Sequence, residues 1–284
     1  MRWCFHTTAM VADYVQTRCA LERLVGCRAL EDEREEDPAI GRRGGMTWIG
    51  DNSLELGEPI VPGGSADRFV QRFGSHMSSI AVQVADIDAT VAHLESCGAT
   101  IAARADDVIV FTHPASTCGI VVEWYGGRPP NDPRFGTPIP EFAVPPVLDV
   151  THMAFGGAVV EDPPAAAAQL ATLLDTGVTF VDPSAPPGAP EAGVSLRDMT
   201  LALYRLPQSE SASLELWGHA YGRPQTSSLG VMVRDLSVAS AALVAAGVPL
   251  VRADDRCAVV HPSATGGVSL VVVDSLLPGD PRLA

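Results

Sequence analysis

The chain has 284 residues, 46% apolar and 19% charged, a balance that can bury a core and excludes a disordered polypeptide. Its formal charge of −15 repels phosphate backbones and anionic lipid, so nucleic acid and membrane surfaces are poor partners. No apolar run reaches the roughly 18 residues of a spanning helix; the start MRWCFHTTAM lacks a secretion-signal pattern, and the six cysteines form no C-x-x-C pair, so a reduced, cytoplasmic protein is expected.

In chain order, FHTTAMVADYVQTRCALERLVG (5–26) reads as a strand followed by a helix. The acidic EDEREED (31–37) reads as a solvated loop. SLELG (53–57) reads as a closing strand and SADRFVQRFG as a short linker helix. VQVADIDATVAHLESCGATI (82–101) is a strand and then a helix, opened by Asp86 and closed by Gly98. VIVFT and GIVVEWY follow as strands. The proline-rich stretch 126–146 is a connector, because proline removes ladder donors.

The pattern then starts again. THMAFGGAVVEDPPAAAAQLATLLDTG (151–177) is strand then helix, PSAPPGAPEAG (183–193) is a loop, and SLELWG (213–218) reads as a closing strand by its likeness to SLELG. VMVRDLSVASAALVAAGVPL (231–250) repeats the strand and helix, from Asp235 to Gly247, before CAVV and GVSLVVV. RADD and HPAST (104–117) recur as RADD and HPSAT (252–265), with His113 and His261 148 residues apart. The fold class is therefore α+β: four tandem βαβββ modules. The expected division is a first domain over 1–129, a linker over 130–146 and a second domain over 147–284.

Within IVVEWY, Glu123 has apolar neighbours on both sides, and a buried carboxylate needs a partner such as a metal or a histidine. His113 precedes a proline-bearing turn, as does His261.

Four such modules, with FHTTAMVADY at the front and SLELGEPI closing the first, resemble the vicinal oxygen chelate superfamily of glyoxalases, bleomycin-resistance proteins and extradiol dioxygenases. NSLELGEPI, SADRFVQRFG, SIAVQVADIDATVAHLESCGA and FTHPASTCGIVVEW place residues 5–125 nearest the methylmalonyl-CoA epimerase-like branch. The resemblance implies two curved mixed-sheet cups, each built around one divalent metal (Fe, Mn, Co, Ni or Zn).

Carried over residue by residue, the resemblance places His6, Glu55 and Glu123 at metal-ligand positions, with Glu123 the candidate for either the ligand or the catalytic base. Ser79 stands at the usual place of a second histidine. His76 lies three residues earlier and could serve only through a bulge. In the second half His152 and Glu215 match the first two ligand places, and Ser228 and Val271 the others. Valine cannot ligate, so that cup is expected to be metal-free. Trp48 and His113 are candidate substrate contacts.

The implied function is a metal-assisted isomerase, epimerase or lyase moving a proton beside a chelated carbonyl of a small metabolite. The alanine-, proline- and valine-rich composition suggests natural-product metabolism as a setting. A metal-free, resistance-type binding protein or metal-free enzyme is the alternative, and an extradiol-type dioxygenase the second. Partners are a small-molecule substrate or ligand. The chain is expected to be a monomer, as an internal pseudo-dimer, or a homodimer.

Overall fold

Alternating side chains build the first sheet. A computed structural model describes residues 1–30, 36–37, 41–105, 107–127, 131–141 and 145–283. The first half holds strands β1 (Trp3–Met10), β2 (Arg28–Ala29), β3 (Glu36–Asp37), β4 (Arg42–Ile49), β5 (Asn52–Pro59), β6 (His76–Gln83), β7 (Ile101–Ala105), β8 (Ile109–Thr112) and β9 (Val121–Tyr125). They lie in the order β2-β4-β5-β1-β6-β9-β8-β7, with β3 on β4. Helices α1 (Tyr14–Val25), α2 (Ser65–Phe73) and α3 (Ile87–Ser96) connect them. Asp13 and Asp86 cap the starts of α1 and α3 by accepting from Gln16 and Ala89 N–H groups. The acidic segment was expected to be all loop. Residues 31–35 lie outside the described residues, and Glu36–Asp37 pair in a short ladder with Arg42 and Arg43.

The second half repeats the plan. Its strands are β10 (Val150–Val160), β11 (Val178–Val181), β12 (Ala192–Ser195), β13 (Thr200–Arg205), β14 (Gln225–Val233), β15 (Leu250–Ala253), β16 (Ala258–Val260) and β17 (Leu270–Val273). The helices are α4 (Pro163–Leu174), α5 (Glu210–Trp217) and α6 (Leu236–Ala245), and the sheet order is β11-β12-β13-β10-β14-β17-β16-β15. The module order β-α-β-β-β thus appears four times. Modules join one-to-two through antiparallel β1 and β6, and three-to-four through β10 and β14.

One expected strand is a helix. SLELWG belongs to α5, capped by Ser209 and ended by Gly218 at φ +64°. The third module closes instead on β13, TLALYR. α5 therefore stands where α2 stands in the first half, as the link between modules.

One face of each sheet enters a core shared by both halves. Leu54, Leu56, Ile80 and Val82 meet Met153, Leu229 and Val231 there, all buried. Each such leucine, fully withdrawn from water, contributes roughly 2 kcal/mol. The opposite faces form the two cups.

The seam between halves is reciprocal, as in an isologous dimer. Asp51, in the β4–β5 turn, accepts from the Met153 N–H at 2.8 Å, and Asp198, in the β12–β13 turn, accepts from the Cys4 N–H at 2.8 Å. Gly50, at φ +62°, must be glycine: a Cβ there would sit 2.8 Å from His152 Cα. The proline-rich connector carries a structural element of its own. Arg134, paired with buried Asp132 at 2.7 Å, donates to the Cys4 and Phe5 carbonyls at 2.9 Å each. Arg282, paired with buried Asp280 at 2.9 Å, donates to the Met153 and Ala154 carbonyls at 2.9 and 2.7 Å. Among the described residues no helix is long and apolar enough to cross a membrane.

Candidate metal centre

Strand register decides which side chains meet in the first cup. β1 shifts register between Cys4 and His6, after which His6 pairs with Ala81, and Ala81 pairs with Glu123 on β9. Two residues on, Thr8 lies opposite both Ser79 and Glu55. With side chains alternating faces, His6, Thr8, Glu55, Ser79 and Glu123 share the concave face. The ligand atoms of His6, Glu55 and Glu123 lie within 4.8 Å of one another. His6 and Glu123 are 4% and 3% exposed.

The polar groups around them hold the carboxylates. Arg42 donates to Glu55 Oε1 at 2.6 Å, and the Thr8 hydroxyl lies 3.3 Å from both Glu55 Oε2 and Glu123 Oε1. Ser79 donates a short hydrogen bond to Glu123 Oε1. Burial alone would raise the Glu55 carboxyl, but the Arg42 charge and the neighbouring His6 outweigh it and hold the group well below the usual carboxylate range. His6 Nε2 is 3.1 Å from Glu55 Oε2, yet the contact lacks hydrogen-bond geometry and neither ring nitrogen has a hydrogen-bond partner. An orphaned, buried imidazole beside two carboxylates fits a divalent cation. The hydroxyl and guanidinium contacts are the outer partners that ligating carboxylates use. Phe5, Met46, Ala81 and Tyr125 form an apolar wall, with Tyr125 stacked on Phe5 at 4.6 Å.

Arg134 is the residue that sequence reasoning missed. Its forked donors fix the carbonyls of the two residues before His6. The signal was present: NDPRFG and GDPRLA place Arg134 and Arg282 148 residues apart, the offset of the HPAST repeat.

Other expected residues lie elsewhere. His76 is not in the cup. It is buried at the seam, its ring 4.6 Å from His219, 5.3 Å from Tyr221 and 6.0 Å from Phe69. Trp48 lies beneath Arg134, 5.8 Å from its guanidinium, with Nε1 donating to the Gly50 carbonyl. His113 is exposed and its Nδ1 accepts from the Ala115 N–H, capping the turn, as His261 does with Ser263.

The second cup corrects the carried-over ligands. Phe155 pairs with Gly230, which pairs with Val271, so Phe155 and not His152 occupies the register of His6. Gly157 lies opposite Ala202, so Ala202 and not Glu215 takes the place of Glu55. Glu215 sits on α5, where its carboxylate accepts from the Ser211 hydroxyl. His152 lies at the seam, its Nδ1 3.1 Å from the Thr151 hydroxyl. Ser228, opposite Gly157, keeps the place of Ser79. Among the described residues only His6, Glu55 and Glu123 form a cluster of metal-ligand type.

His76 gives the seam a pH dependence. Burial, and then the neighbouring His219, push it from 6.5 to about 3. It is neutral in the fold and takes up a proton readily only when unfolded. Its stabilisation is complete above about pH 6.5 and is lost as pH falls toward 3. Urea unfolding at pH 5 is expected to show a stability lower by on the order of 2 kcal/mol than at pH 7. A His76→Phe variant should lose most of that difference, and an unchanged difference would remove His76 from the account.

No family model matches the chain, and no curated protein does. Solved structures do. A triple mutant of 4-hydroxymandelate synthase from Streptomyces coelicolor matches with a TM-score of 0.68 at 15% identity, over 99% of this chain and 95% of that one. Methylmalonyl-CoA epimerase from Mycobacterium tuberculosis matches at 21% identity over 45% of this chain and 89% of its own, with a TM-score of 0.41. The Streptomyces coelicolor epimerase in complex with 2-nitronate-propionyl-CoA gives 22%, 44%, 96% and 0.40 for the same measures. The full-length match establishes the duplicated fold.

Proposed function

This chain carries the vicinal oxygen chelate fold twice, and from that premise we propose that its first cup is the site of a metal-assisted isomerase, epimerase or lyase. It moves a proton beside a chelated carbonyl of a small metabolite. The observation that supports this reading is the convergence of His6, Glu55 and Glu123, with neither His6 ring nitrogen in a hydrogen bond.

These three residues would hold the ion. One imidazole with two carboxylates suits manganese, iron, cobalt, nickel or zinc. The bound cation supplies Lewis-acid stabilisation of charge that develops on a carbonyl oxygen. Arg42 keeps Glu55 ionised and fixes one of its oxygens. Ser79 and Thr8 engage Oε1 of Glu123, and Oε2 makes no hydrogen bond among the described residues. That oxygen is the one assigned to take the proton. Phe5, Met46 and Tyr125 exclude water from one side.

The metal-free alternative draws on Arg42, whose guanidinium already neutralises one carboxylate at 2.6 Å. The extradiol reading would place its ligands in the second cup, where the registers hold Phe155, Ala202 and Val271.

The test is exchange. Protein reconstituted with each metal is incubated in deuterium oxide with 2-oxo acids and 3-oxo esters, and isotope uptake is followed by NMR. Metal-dependent uptake, absent in His6→Ala, is expected. A protein that takes up no metal would leave the binding-protein reading, and bound metal without exchange on any enolisable compound would overturn proton transfer.

A further inference from the structure

The second cup has lost its ligand set and kept its hollow. A cavity of about 300 Å³ opens on its concave side. Its floor carries Phe155 and Val271, in the registers that His6 and Glu123 occupy in the first half, with Tyr204 and Val273 beside them. Leu276, Leu277 and Pro278 close one wall. These are apolar surfaces in a volume at the small end of ligand sites.

The charged groups that line the cavity are both positive, Arg252 and Arg256, in a chain of net charge −15. Arg252 is already engaged, donating to Asp254 at 3.0 Å and to the Gly188 carbonyl at 2.8 Å. Arg256 is half exposed, and it pairs with Asp254 at 3.6 Å, beyond hydrogen-bond distance. Asp254 and Asp255 balance the two guanidiniums in number, but of these four groups only the guanidiniums line the cavity, so its rim presents positive charge. An apolar floor beneath such a rim is complementary to one kind of molecule.

We propose that the second cup is a metal-free binding site for a small apolar carboxylate, aryl or branched alkyl, of about the size of phenylacetate. The apolar group packs on Phe155, Tyr204 and Val271, and the carboxylate meets the Arg256 guanidinium, with the Arg252 charge beside it. This does not rest on the metal reading of the first cup.

The experiment is titration calorimetry of the full-length protein with phenylacetate, and with phenylacetamide as its neutral isostere. Trp217 fluorescence serves as a local reporter, since Trp217 packs edge-on against Tyr204 at 4.7 Å. One site per chain is expected, with the amide binding at least about tenfold more weakly. Arg256→Gln, at a half-exposed position that the fold does not depend on, should weaken phenylacetate about tenfold and leave the amide unchanged. Val271→Trp, which fills the floor, should abolish both. Glu123→Ala should bind phenylacetate like the wild type. The proposal is overturned by no binding up to about 10 mM, by equal binding of acid and amide, or by binding that Glu123→Ala removes and Arg256→Gln does not.

Discussion

Glu123→Ala is expected to strip the first cup of its metal, from about one equivalent per chain to almost none after gel filtration, read by elemental mass spectrometry. Three ligand atoms within 4.8 Å make a site, and His6 and Glu55 alone make a poor one. Affinity should fall at least about a hundredfold, beyond the range seen when an outer partner is removed. Ser79→Ala removes such a partner, the donor to Glu123 Oε1, and should cost about tenfold. The Glu123→Ala variant should still fold, because it removes a buried negative charge along with its hydrogen bonds. Equal metal in both proteins would take Glu123 out of the ligand set. Metal in neither, even after reconstitution, would leave His6, Glu55 and Arg42 as a network without an ion.

Arg134→Ala should destabilise the chain by about 3 kcal/mol, seen as a lower urea midpoint. Asp132 is 2% exposed, and losing its partner leaves an uncompensated buried carboxylate. The Cys4 and Phe5 carbonyls lose their donor at the same time. Lysine at this position should recover less than half of the loss, since an ammonium cannot reproduce the fork that grips two carbonyls and a carboxylate. Arg134→Ala combined with Asp132→Ala should be more stable than the single variant, because no charge is then left buried. A second readout separates positioning from stability. The two carbonyls precede His6, so metal affinity should fall in Arg134→Ala and stay unchanged in Arg282→Ala, which disturbs the equivalent clamp in the other half. Similar urea midpoints for wild type and Arg134→Ala would show that the clamp contributes little.

The order of strands and helices was legible because local rules write it. Aspartates open α3 and α6, positive-φ glycines follow both, and the repeat at 148 residues announces the duplication. His6, Glu55 and Glu123 were legible for a related reason. Each sits within a strand, Glu55 and Glu123 between apolar neighbours that face the other way, so alternation alone predicts that these two point into the cup.

What misled was a short string. SLEL suits either period, two or 3.6, over four residues, and its first-half copy is a strand while its second-half copy is helix α5. The difference lies outside the string, in Ser209 as cap and in the six paired residues of β13 that already supply the closing strand. His152 misled by register. A histidine three residues before Phe155 looks equivalent to His6 in the sequence, but the β-bulges in β10 reassign which residue faces Gly230.

The sequence by itself therefore determined the elements other than the close of the third module, their duplication and the chemistry available to the first cup. The tertiary structure decided which residues stand opposite one another, that modules pair one-to-two and three-to-four, and that Arg134 and Arg282 clamp the strands that open each half. The physical reason is that periodicity and capping act within a few residues. A register shift of one residue, by contrast, turns a ligand toward solvent or core and is fixed only when distant strands pair.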